Sequence, residues 1–243
     1  MVRIVSLSPN ITEILFALGA EDQLVGVTTY CDYPEKANKK PKMGDWVNID
    51  FEKLKAADPF IIFTSTVVQE KLSEKLKTAG FRVVHFDIRR LSDVYNCIKY
   101  VGLVAGKDGQ WLVDKMESEF AKIWKGSDGM KRVYVEEWPM TVSCNWVPEL
   151  VAIAGGVSMG RTGILSHKIT TDDVKKFNPD IIVISWCGVG TRVPKEKIVE
   201  RHGWKGLKAV MEDKIYIIDD SLLNRPGPRL VEGAKFLAGV INS

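Results

Sequence analysis

The chain has 243 residues, of which 45% are hydrophobic and 27% charged, with a mean hydropathy of −0.05. That balance belongs to a globular protein long enough to bury a core without disulfides or metal. Its 34 basic and 31 acidic residues leave a formal charge of +3, too small and too dispersed for nucleic acid, and no apolar run approaches the roughly 18 residues of a membrane span.

Met1 is followed almost at once by an extended apolar run, Ile4-Val5-Ser6-Leu7, so no signal peptide is expected and a cytoplasmic location stays open. The turn Ser8-Pro9-Asn10 leads into a helix over 12–19. Asn10 and Glu13 have capping-box spacing at its start, and Gly19 ends it. The lysine-rich stretch 36–42 reads as a solvated loop. A second helical pattern, 50–58, runs into Pro59 and the strand Phe60-Ile61-Ile62-Phe63, and a further strand follows at 81–87. Over 108–126, Trp111, Met116, Phe120, Ile123 and Trp124 recur at helical spacing, and Ser127-Asp128-Gly129 stops the pattern.

The second half repeats the first. Arg132-Val133-Tyr134-Val135 restates the opening strand, and the helix Pro148-Glu149-Leu150-Val151-Ala152-Ile153-Ala154-Gly155 pairs Glu149 with Glu13 and Gly155 with Gly19 at one offset. At another offset the helix over 170–178, Pro179 and the strand Ile181-Ile182-Val183-Ile184 match 50–63, pairing Asp172 with Glu52. The strand 213–219 matches 81–87. Short, non-alternating β-branched runs are strands buried on both faces, hence parallel strands under helices. The expected fold is therefore α/β, with two similar lobes, each a mostly parallel sheet covered by helices, joined by one long helix. The expected boundaries are 1–105 for the first lobe, 106–128 for the connecting helix and 129–243 for the second lobe; one continuous doubly wound sheet is the alternative.

Ligands of open α/β sheets bind beyond the carboxyl ends of the strands. The residues that follow the expected strands are Ser8, Pro9, Tyr30, Cys31, Ser65 and Thr66, with Trp46 in a neighbouring loop. In the second lobe they are Trp138, Trp146, Trp186, Cys187 and Arg225. Four of the seven tryptophans fall in these loops, which argues for a large, flat, partly apolar ligand in an aromatic cleft between the lobes. Catalysis finds little support. Gly156-Val157-Ser158-Met159-Gly160 fits GxSxG but follows a helix, and His85, His167 and His202 are scattered, so a binding protein and not an enzyme is expected. The four cysteines (Cys31, Cys97, Cys144, Cys187) contain no CxxC, and no metal site is expected.

Ser8-Pro9 before Thr12-Glu13-Ile14, the run Gly26-Val27-Thr28-Thr29-Tyr30-Cys31-Asp32-Tyr33-Pro34, and Asn48-Ile49-Asp50-Phe51-Glu52 resemble the helical-backbone (class III) solute-binding proteins of ABC transporters. The likeness continues through Asn178-Pro179-Asp180 and Arg225-Pro226-Gly227-Pro228-Arg229, and so covers essentially the whole chain. Tyr30 before Asp32-Tyr33-Pro34, followed by Trp46, is most similar to the cobalamin-binding members. The resemblance implies that Tyr30 and Trp46 pack on a corrin, that Arg225 reaches the ligand, and that Glu52 and Asp172 dock into the membrane subunits of an ABC importer. It also implies a monomer, periplasmic or extracellular and membrane-associated, with a corrinoid as ligand and no resident cofactor. Ser65 and Ser221 depart from the pattern, standing where the cobalamin binders have Trp and Asp. Two other ligand classes remain as alternatives. One is haem or a ferric siderophore, for which Arg225, Arg229 and Tyr30 are the candidate groups. The other is cytoplasmic metal or corrinoid handling through Cys31, Cys144 and Cys187.

Overall fold

Strand β1 (Ile4–Ser6) is buried along its whole length, as a non-alternating run in a covered parallel sheet must be. The computed structural model describes residues 1–123 and 130–243. These divide into two compact units: Met1–Ile88 with Ser92–Lys115, and Arg89–Leu91 with Met116–Ser243.

In the first unit β1 leads into α1 (Pro9–Ala17), and β2 (Leu24–Val27), α2 (Phe51–Ala57), β3 (Ile61–Ser65), α3 (Glu70–Thr78) and β4 (Val83–Phe86) follow. The four strands are parallel, in the order β2-β1-β3-β4. The expected capping box at α1 does not form. Pro9 starts the helix two residues earlier than an Asn10 cap would, because its fixed φ suits the first helical position. Ser8 is the N-cap, its hydroxyl donates to Asn10 Oδ1 (2.7 Å), and both Asn10 and Glu13 lie buried within the helix. α2 carries a local cap at each end. The Asp50 carboxylate accepts from the N–H groups of Glu52 and Lys53, and Asp58 ends the helix in the left-handed region at φ 42°.

Helices α4 (Leu91–Ala105) and α5 (Gly109–Ile123) follow β4 in the chain. The division falls inside α5, between Lys115 and Met116, rather than setting 106–128 apart as a connecting segment. Met116, Phe120 and Ile123 form the buried stripe of α5, but Trp111 points outward and lies under the Lys115 ammonium. Trp124 and the stop Ser127-Asp128-Gly129 lie outside the described residues.

The second unit comprises β5 (Lys131–Trp138), β6 (Thr141–Val142), α6 (Val147–Ile153), β7 (Gly156–Ser158), β8 (His167–Lys168), α7 (Thr171–Phe177), β9 (Ile181–Ile184), α8 (Lys195–Val199), α9 (Lys208–Met211), β10 (Ile215–Ile217) and α10 (Leu230–Ile241). Its parallel strands run in the order β7-β5-β9-β10, the order of the first unit element for element. A short antiparallel extension, β5-β6-β8, has no counterpart in the first unit. The repeat reaches single hydrogen bonds. Phe60 N–H donates to Arg3 O and Asp180 N–H to Arg132 O, both at 2.8 Å. The guanidiniums of Arg3 and Arg132 cap the carbonyls of Ala57 and Phe177 at the ends of α2 and α7. Asn178 repeats the left-handed C-cap of Asp58, at φ 48°.

Candidate functional site

At the carboxyl ends of the first sheet, Tyr30 is 50% exposed and its ring lies 6.2 Å from the ring of Trp46, tilted by 49°. The loop carrying Trp46 is built locally. Asp45 accepts from the N–H groups of Val47 and Asn48 (2.8 and 2.7 Å). Gly44 sits at φ 136°, where a Cβ would come within 2.1 Å of Asn48 O. A fully buried side chain then fastens this loop to the sheet. The Gln69 amide donates to Leu7 O (2.7 Å) and Trp46 O (2.8 Å), and its oxygen accepts from Ser65 N–H (3.0 Å). Sequence reasoning missed Gln69, since nothing local marks its two distant partners, Leu7 and Trp46. Next to it Thr66 adopts φ 67°, a strained value for a β-branched residue, and its hydroxyl is buried without a partner.

The other candidates in this unit lie deeper. Ser8, Pro9, Ser65 and Cys31 are all buried, whereas Tyr30 is exposed. The Cys31 thiol meets the hydroxyls of Thr12 (3.1 Å) and Thr28 (3.2 Å), and burial pushes its pKa up.

In the second unit Trp138, 49% exposed, and the half-buried Trp186 lie 6.5 Å apart at 48°. Trp146 belongs to the core instead. It is 5% exposed, and its indole N–H donates to Leu223 O at 2.7 Å. Arg225 is half-buried, just beyond the 3-10 turn Asp220–Leu222. Ser221 is also buried, donating to Asp219 (2.6 Å) and accepting from Arg229 (3.1 Å). Cys187 accepts from the Asn224 amide at 3.1 Å. Burial, with the charges of Glu137 and Asp220, pushes its thiol up to about 12. Burial also raises the Glu137 carboxyl, opposed by the hydrogen bond it accepts from Ser166.

Cys144 is buried as well, its pKa raised by desolvation. Among the described residues no three His, Cys, Asp or Glu side chains are grouped to hold a metal. With its thiol pushed up to about 12, Cys187 is overwhelmingly protonated at neutral pH. Iodoacetamide should alkylate it at least 100-fold more slowly than free cysteine, followed by mass spectrometry of the native protein. A rate within threefold of free cysteine contradicts this.

Glu52 and Asp172 occupy the second position of α2 and α7. Their side chains are 83% and 92% exposed, and each is paired with a lysine one turn on, Lys55 (2.9 Å) and Lys175 (3.7 Å). Ser158 ends β7 and accepts from Gly160 N–H (3.0 Å), so no strand-to-helix nucleophile turn is present there.

Residues 4–222 match the family described as "Periplasmic binding protein". An uncharacterised ABC transporter substrate-binding lipoprotein of Bacillus subtilis is 34% identical, over 97% of this chain and 78% of its own length. A vitamin B12-binding protein of Vibrio cholerae is 24% identical, over 96% of this chain and 86% of its own. Among solved structures, S. aureus IsdE complexed with heme superposes with a TM-score of 0.86 at 19% identity, covering 100% of both chains.

Proposed function

The chain belongs to the periplasmic binding protein family as a solute-binding protein, and from that premise we propose that its solute is a corrinoid, handed to the membrane subunits of an ABC importer. The observation that carries this reading is the pair of accessible aromatic rings at the carboxyl ends of each sheet, Tyr30 with Trp46 and Trp138 with Trp186. Such rings suit a broad flat ring system with apolar rims. Covering about 100 Å² of one ring contributes on the order of 2 kcal/mol. The vitamin B12-binding relative aligns along nearly the whole chain and supports the same choice. The lipoprotein relative favours a place outside the cytoplasmic membrane. Glu52 and Asp172 are the docking groups, Arg225 supplies a polar contact to the ligand, and the protein acts as a monomer that binds without chemistry. Haem is the second reading, favoured by the exposed phenol of Tyr30, an iron-ligating group beside a flat aromatic surface.

Calorimetry with cyanocobalamin tests the assignment. Tyr30→Ala and Trp46→Ala should each weaken binding by about 1–3 kcal/mol, as expected for truncating a well-packed anchor. Unchanged affinity in both variants refutes it.

A further inference from the structure

Glu136, at the carboxyl end of β5, is 0% exposed, yet one carboxylate collects five hydrogen bonds. Its Oε2 accepts from the Tyr134 hydroxyl (2.7 Å), Met140 N–H (3.2 Å) and one arm of Arg201 (2.6 Å). Its Oε1 accepts from the other arm of Arg201 (2.8 Å) and from the indole N–H of Trp186 (2.8 Å). The Arg201 guanidinium lies 4.6 Å from the ring centroid of Trp204 and 5.9 Å from that of Trp186.

The internal repeat shows that the fold does not require this pair. The matching registers of β1 on β3 and β5 on β9 place Leu7, also fully buried, where the second unit has Glu136. Trp186 stands where the first unit has Thr66. Carboxylate and indole thus enter together in one copy and are absent together from the other. Burying an ion pair costs desolvation that an apolar residue such as Leu7 avoids. What the pair does that a leucine cannot is grip the edge of the Trp186 ring.

We propose that the Glu136–Arg201 pair is a positioning device that locks the Trp186 ring in its ligand-ready orientation before any solute arrives, and so sets affinity for a flat ligand. The affinity half of this rests on the reading above that Trp186 meets the ligand; the locking half does not. Rigid preorganisation of an anchor removes an ordering cost from binding.

Proton NMR of the indole groups separates the two halves, with Trp186→Phe assigning the resonance. In the native protein the Trp186 indole proton should exchange with D2O at least tenfold more slowly than that of half-exposed Trp138. In Glu136→Leu/Arg201→Met that protection should vanish while the protein stays folded. Cyanocobalamin affinity should fall about tenfold in the double variant but change less than twofold when the same replacements are made on Trp186→Phe. Retained protection, or an equal tenfold loss without Trp186, overturns the proposal. If the double variant does not fold, Glu136→Gln carries the test through at least threefold lower protection, and unchanged exchange overturns it. If the native protein binds neither cyanocobalamin nor haemin, the ligand reading fails, while the exchange experiment still decides whether the ring is locked.

Discussion

Reversing charge at both Glu52 and Asp172 to lysine is expected to cut importer-driven uptake by at least 100-fold while leaving ligand affinity within about twofold. The two carboxylates sit at equivalent positions of α2 and α7, exposed and held only by a lysine one turn on. Exposed pairs of this kind contribute little to stability, and a lysine in the first helical turn costs about 0.3–1 kcal/mol against the helix dipole. The variant should therefore fold, with a Tm lowered by no more than about 5 °C. Docking is different, because a charge that becomes desolvated against a basic pocket and is then reversed costs about 2–5 kcal/mol or more. Uptake in reconstituted vesicles reads the effect. Normal transport by the double variant would show that these are helix-start residues and nothing more.

Trp146→Ala is expected to destabilise the second unit by about 3–5 kcal/mol, the cost of emptying a buried aromatic site. Its ring is enclosed, and its removal leaves Leu223 O without the indole donor. Trp138→Ala should move stability by less than about 0.5 kcal/mol, since half that residue is already in water. Its effect belongs on the ligand. Urea unfolding compares the two variants, and a loss below about 1 kcal/mol for Trp146→Ala contradicts the core assignment.

That contrast marks where sequence reading stops. Trp138 ends β5 and Trp146 follows β6, in stretches that look alike in sequence, and only the turn of the chain buries one of them. Trp146 becomes the N-cap residue of α6, which folds it back against the segment before α10. The architecture was far easier to read. Non-alternating β-branched runs announce covered parallel strands, and the Asp58-Pro59 and Asn178-Pro179 helix ends recur in order, so the common strand order of the two sheets followed from the repeat. The antiparallel β6 and β8 escaped notice because two-residue strands carry no periodicity. Gln69 and the Glu136–Arg201 pair escaped for another reason. Leu7 and Trp46, which Gln69 joins, and Arg201 and Trp186, which Glu136 joins, lie tens of residues away in the chain, and a buried glutamate looks in sequence like any exposed one. Cys31 was placed correctly after β2 but on the wrong side of its loop, since sequence position alone does not say which way a thiol points.

Titration of the native protein with cyanocobalamin, followed by heat and by visible absorption, decides whether its solute is a corrinoid. Saturable 1:1 binding of cyanocobalamin is expected, together with a weaker response to haemin. No heat and an unshifted cobalamin spectrum, with a shifted haemin Soret band under the same conditions, would contradict it.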